Sequence, residues 1–295
     1  MKKLLLAAAL AAVATPALSE TPAPRPDADP AIWAVSDADT TIYLFGTFHL
    51  LDGRRDWFND EVRTAFDRSD ELVLEFNDEL VPATIQPLVE RYALDPAGRT
   101  LPQLLPAPLA ARLRAELAEL GLPEGAFDRF EPWWVSMMLV ALGAQRLGIT
   151  GEQGTETTLT AAARARNMPI GGVETLESQM QMLDAVPEAT QIEHLAQAVD
   201  ALDKLGESFQ PMLDAWADGD PNRMFSIVTA GMGTDTATYR AYLVERNARW
   251  TDWVRERMER PGTVFVAVGS AHLAGPDSVQ ALLARHGLRA ERVRP

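Results

Sequence analysis

One local pattern occurs twice in this chain, far apart, and it limits the folds the chain can adopt. Residues 42–50 read Ile-Tyr-Leu-Phe-Gly-Thr-Phe-His-Leu, and residues 264–273 read Val-Phe-Val-Ala-Val-Gly-Ser-Ala-His-Leu. Each is an apolar run that stops at a glycine, with a histidine three residues further on. The 295 residues hold only four histidines, so half of them share this setting. Short apolar runs of this kind fit strands buried on both faces. The glycine lets the chain turn sharply, and the histidine can then point back over the strand's end. Strands alternating with helical segments argue for a largely parallel sheet covered on both sides. In such sheets ligands sit just outside the carboxyl ends of the strands, where His49 and His272 are both expected.

The remaining segments fill in that outline. Residues 32–35 and 41–45 are β-rich runs separated by Ser-Asp-Ala-Asp, a hairpin signal. Residues 71–76 and 169–173 predict two further strands, and residues 288–293 an edge strand. Residues 57–68 carry Phe58, Val62, Ala65 and Phe66 at helical spacing. Residues 82–147 read as mostly helical, punctuated by Pro102, Pro106, Pro123 and Pro132. More helices are expected over 157–166, 187–205, 211–217, 236–258 and 277–286. Together these predict one α/β domain over residues 31–295. Its central sheet is mixed and largely parallel, flanked by helices, with a helical cap subdomain over about residues 80–150.

Ahead of that domain, Lys2 and Lys3 precede an apolar stretch at residues 4–13, and Ala17 and Ser19 supply small residues before a cut. This predicts a signal peptide over residues 1–19, cleaved near Ser19, then a loose leader over 20–30 and a periplasmic or secreted location. Nothing later is long and apolar enough to span a bilayer, so no transmembrane segment is expected in the mature chain. With no cysteine, disulfides, thiolate metal sites and a cysteine nucleophile are excluded. The formal charge is −15, and losing residues 1–19 with their two lysines and no acids takes it to −17. A surface that acidic repels phosphate backbones, so nucleic acid is not an expected partner. The expected partner is a peptide or a small-molecule substrate.

Chemistry is expected first at His49 and His272. Two neutral imidazoles meeting at a sheet edge can hold a divalent ion or act as acid and base. Glu75 interrupts an apolar strand near its end, where a buried carboxylate needs a cation or donors; the alternative is an edge-strand charge. Glu174 follows another strand and either joins the same rim or caps the next helix. Two imidazoles with one or two carboxylates suit manganese, cobalt or zinc. Haem on one of the histidines is the alternative cofactor. Glu156 has a weaker claim, as support behind the site. Arg246 can clamp a carboxylate or orient Glu75 or Glu174, although spacing alone favours an ordinary ion pair on a helix surface. Ser270 follows Gly269 but lacks the other glycines of a nucleophile elbow. Trp133, Trp134, Met137 and Met138 are expected in the core, His194 in solvent, and His286 at a helix end.

The ordered set of these pieces resembles the TraB/GumN/PrgY family, which includes the Tiki proteins. The matching segments are Gly46-Thr-Phe-His49, Leu74-Glu75, Gly154-Thr-Glu156, Val173-Glu174-Thr175 with Gln179, Glu245-Arg-Asn247 with Trp250, and residues 268–275 around His272. The resemblance implies a metal-dependent peptidase site built from the two Gly-x-x-His segments and glutamates. By position those carry over to His49, His272, Glu75 and Glu174, with Arg246 beside them. The family often has aspartate where Glu156 stands. It is also similar to erythromycin-esterase-like and ChaN-like folds, which implies hydrolysis or haem binding respectively.

Overall fold

The computed structural model describes residues 25–294 apart from Glu79 and Asp235; the expected signal peptide lies outside the described residues. Alternation along the central strands gives each strand two buried faces. In β5 (Gly262–Gly269), Phe265 and Ala267 join one core while Val264, Val266 and Val268 join the core on the opposite face. β2 (Thr40–Thr47) does the same, with Phe45 on the first face and Ile42 and Leu44 on the second. With β1 (Ile32–Ser36), β3 (Glu71–Leu74), β4 (Ile170–Gly172) and β6 (Ala290–Arg292) they form a six-stranded sheet in the order β4-β3-β5-β2-β1-β6. β4, β3, β5 and β2 pair in parallel; β1 and β6 add antiparallel, and β6 forms the expected edge.

Helices close both faces because their apolar stripes complete the two cores. α1 (Asp60–Arg68), α6 (Thr155–Ala165), α9 (Leu205–Ala217) and α10 (Pro221–Met232) cover the Phe265 face. α12 (Glu245–Arg257) and α13 (Val279–Arg285) cover the other through Trp250, Val254, Val279 and Leu283. A separate helical core gathers leucines spaced four apart, Leu109, Leu113 and Leu117 of α4 (Ala107–Glu119), with α3 (Leu101–Leu104), α5 (Pro132–Arg146) and α8 (Glu188–Ala201). α8 joins this core from outside the stretch whose spacing suggested a cap. α2 (Pro82–Tyr92) and α7 (Leu176–Asp184) pack on each other beside it. Among the described residues no helix is long and apolar enough to cross a membrane.

Several local expectations are corrected. The helix expected from residue 57 begins at Asp60, because Trp57 stacks on Phe45 with ring centroids 5.6 Å apart. The strand expected to residue 76 stops at Leu74, which leaves Glu75 just past its end. α10 was not legible. Residues 236–258 are not one α-helix: α11 (Ala237–Tyr239) passes through a π-helical segment, Arg240–Val244, before α12 begins. Met137 is 44 % exposed rather than core. His194 is half-buried, not in open solvent, with its Nε2 3.4 Å from Thr238 Oγ1.

Candidate functional site

The carboxyl ends of β2, β3, β4 and β5 lie side by side, and each delivers one expected residue. His49 follows β2, Glu75 follows β3, Glu174 follows β4, and His272 sits in the 3-10 turn Ser270–Leu273 after β5. Pairing between β3 and β4 runs on past their ends, where Glu174 N–H donates to the Glu75 carbonyl at 2.8 Å. Gly269 lies at the centre. A Cβ built there would stand 3.1 Å from Glu75 Oε1, 3.3 Å from His49 Nε2 and 3.6 Å from His272 Cδ2. Any other residue would therefore crowd Glu75 and His49, and the Gly269 N–H is left to donate to Glu75 Oε1 at 2.8 Å.

Each imidazole is fixed through Nδ1, which turns His49 Nε2 to Gly269 and His272 Nε2 to Arg246. His49 Nδ1 lies 2.6 Å from Glu156 Oε1. Glu156 is in the first turn of α6, where the helix dipole favours an acid. That turn is clipped to the His49 loop by Phe48 N–H donating to Thr155 Oγ1 at 3.1 Å. Gly154 permits the approach, since a Cβ there would meet the His49 carbonyl oxygen. His272 Nδ1 lies 2.6 Å from Asn247 Oδ1, and Asn247 Nδ2 donates to the Asp277 carbonyl at 2.8 Å. An amide oxygen can only accept, so His272 carries its proton on Nδ1 and presents a lone pair at Nε2.

Arg246 takes up that lone pair. Its Nη1 is 3.0 Å from His272 Nε2, and its Nη2 donates to Glu75 Oε2 at 2.6 Å. Its Nε donates to Glu174 Oε1 at 3.0 Å, and Nη2 closes a second contact to the same carboxylate. Gln179 Nε2 ties the two carboxylates together, 2.8 Å from Glu75 Oε2 and 2.7 Å from Glu174 Oε1. The guanidinium stacks over Trp250 with Cζ 4.6 Å from the ring centroid, and the His272 ring centroid is 4.2 Å from the same indole. Arg246 is thus buried at the centre, and the surface ion pair that its spacing suggested is corrected. Thr175 Oγ1 accepts from Ser178 N and caps α7, which leaves the Glu174 carboxylate to the site.

These surroundings set the charges apart. Burial drives the His272 pKa down to about 3, with Arg246 and His49 adding to it, so this ring is neutral. Burial alone would raise the Glu75 pKa, but Arg246 and the Gly269 N–H outweigh it and hold Glu75 at about 2. At His49 burial opposes the charge, yet the Glu156 carboxylate and its hydrogen bond, helped by Glu75, raise the pKa to about 9. The His49 ring is crowded by protein on its Gly269 side but its side chain is 61 % exposed, so water screens these attractions. Glu156 is correspondingly lowered by His49 against the pull of burial.

Asn247 and Gln179 were named in the sequence without a role, and the site depends on both. The one signal was their place beside Arg246 and Glu174. Ser270 packs against Gly46, where a Cβ would stand 3.1 Å from the Ser270 Cβ. His286 ends α13, at its C-cap, and takes no part.

A mostly parallel α/β sheet with a histidine–carboxylate–arginine centre at its carboxyl edge defines the class. Within that class the chain belongs to the TraB/PrgY/gumN family, whose family model matches residues 31–292. It is 27 % identical to the uncharacterized protein YbaP of Escherichia coli (strain K12), over 69 % of this chain and 75 % of that protein. The YbaP of Shigella flexneri matches to the same extent. Metalloprotease TIKI1 of Danio rerio is 25 % identical across 94 % of this chain, which spans 65 % of that protein's length. No solved structure gives a significant match.

The donor set suits a divalent ion in its chemistry. Two imidazoles have Nδ1 anchored, the arrangement that outer partners impose on metal-binding histidines, and Glu75 Oε1 lies with His49 Nε2 at Gly269. One contact opposes loading, because Arg246 must release His272 Nε2. Among the described residues, two groups of three acidic side chains bring ligand atoms within 4.8 Å of one another, Asp27/Asp29/Asp60 and Glu116/Glu119/Asp203; no three of His49, His272, Glu75 and Glu174 do so, and they would have to draw together around an ion. With an arginine and three carboxylates around the histidines, nothing in the described residues favours a porphyrin.

Proposed function

We propose that this chain is a metal-dependent hydrolase of peptide bonds that works outside the cytoplasm after removal of residues 1–19. His49, His272, Glu75 and Glu174 hold a manganese, cobalt or zinc ion, and Arg246 balances the carboxylates. The observation that carries the reading is the pair of imidazoles after neighbouring strands, each fixed by a partner on Nδ1, with His49 Nε2 and Glu75 Oε1 beside Gly269 and His272 Nε2 left without a proton. The relative named a metalloprotease supports the same class. When bound, such an ion supplies an activated water with a pKa near 7 and polarises a carbonyl.

The protein's own groups do the rest. Asn247 keeps His272 in the Nδ1–H tautomer. Glu156 orients His49 through Nδ1 and favours its protonated form in the metal-free protein, so binding of an ion would displace that proton. Gln179 and Arg246 hold Glu75 and Glu174 in place. Arg246 also offers a fixed positive charge beside any oxyanion that develops there.

The test is chelator-treated protein incubated with a quenched peptide library, alone and with each of the three ions. Cleavage that returns with an ion and is lost in both His49→Ala and His272→Ala supports the reading. Metal-independent cleavage, or full activity in His49→Ala, rejects it. A second reading, a binding protein without turnover, is favoured by the Arg246 Nη1 contact that occupies His272 Nε2. Metal uptake with no cleavage of any library member would select it.

A further inference from the structure

A cavity of about 570 Å³ opens beside the site, between α7 and the helical run from α11 to α12. Its volume is in the range of ligand clefts. It shares a wall with the site, because Ser178 and Gln181 flank Gln179 on one side, and Glu245 and Arg249 flank Arg246 on the other. Its two ends differ. Near the site the wall carries Glu245 and Arg249, both exposed, and Arg249 forms no ion pair among the described residues. Away from the site the wall is mostly apolar, with Met182, Ala185, Val186 and Ala241 beside Thr190 and Thr238. Thr238 Oγ1 is held 3.4 Å from His194 Nε2.

We infer that this cleft is the subsite for one side of a peptide substrate, and the inference rests on the hydrolase reading above. An apolar side chain fills the far end, and a carboxylate of the same peptide meets Arg249. The charge argument is direct: Arg249 is a guanidinium with no ion pair among the described residues of a strongly acidic chain, and it stands one helical turn from Glu245 at one end of a cleft that also holds apolar groups. Ala237, Ala241, Glu245 and Arg249, four residues apart along α11, the π-helical turn and α12, line one wall of the cleft while Arg246 turns inward.

The test uses four fluorescein-labelled hexapeptides, with Leu or Ser at one central position and a free or amidated carboxyl terminus. Binding by anisotropy is measured for the full chain and for Ala185→Trp and Arg249→Glu, both at exposed positions. Cleavage of the same peptides is followed in parallel with His49→Ala. The chain is expected to bind the Leu peptide about tenfold more tightly than the Ser peptide. Ala185→Trp removes that preference, and Arg249→Glu removes the preference for the free carboxylate. Equal binding of the Leu and Ser peptides, or an unchanged preference in Ala185→Trp, overturns the inference. A preference that persists while no peptide is cleaved leaves the cleft standing and removes the hydrolase.

Discussion

His49 and His272 leave neighbouring parallel strands through the same Gly-x-x-His turn, yet His49 is exposed and His272 is buried. One pairs with a carboxylate and is raised to about 9; the other is held by an amide and an arginine and falls to about 3. The strand register explains the divergence. Gly46 lies opposite Val268, and Gly269 lies opposite Thr47, so the second turn starts one residue later. Side chains alternate along a strand, so a one-residue offset sends the same motif out from opposite faces. Leu50 accordingly packs against the Phe265 core, whereas its counterpart Leu273 packs into the Trp250 core. The same five-residue signal thus yields one charged, open imidazole and one neutral, buried one.

Removing Arg246 tests that contrast most severely. Arg246→Leu leaves Glu75 and Glu174 buried without a cation, and is expected to cost about 3–5 kcal/mol in urea unfolding. A loss below about 1 kcal/mol would mean that the carboxylates do not depend on it. Asn247→Leu comes next. It strips His272 Nδ1–H of its acceptor in a buried setting and should cost about 1–3 kcal/mol. Glu156→Gln, at the exposed histidine, should cost less than about 1 kcal/mol while moving the His49 pKa down from about 9 in an imidazole NMR titration. If Glu156→Gln destabilises more than Asn247→Leu, the contrast between the two sides is wrong.

Acid should act on the two sides in opposite directions in metal-free protein. His272 titrates near 6.5 and Glu75 near 4.5 when unfolded, but at about 3 and about 2 when folded. The unfolded chain therefore takes up protons first, and stability falls as the pH drops from about 6.5 towards 3. His49 holds its proton up to about 9 when folded and releases it near 6.5 when unfolded. Its contribution is complete below pH 6.5 and is lost as the pH rises through 9. Urea midpoints measured across pH 3–10 should shrink at both ends, and His272→Asn should flatten the acid side alone.

The sequence by itself determined the strands that carry the site, because their apolar runs, their glycine stops and their histidines are local signals. It also placed Glu75 and Glu174 at strand ends, and the edge strand and the hairpin followed from turn chemistry. It did not reveal α10, the π-helical segment, or the exposed Met137, since each depends on which face of a helix finds a partner. Only the tertiary structure decided the roles of Arg246, Asn247 and Gln179. Helical spacing gives Arg246 a plausible neighbour on its own surface, whereas its actual partners arrive from β3, β4 and β5, between 26 and 171 residues away. The charge states of the two histidines were decided there too. Local sequence fixes which side chain leaves a strand, but burial and the nearest carboxylate or guanidinium, brought by distant segments, fix whether it carries a proton.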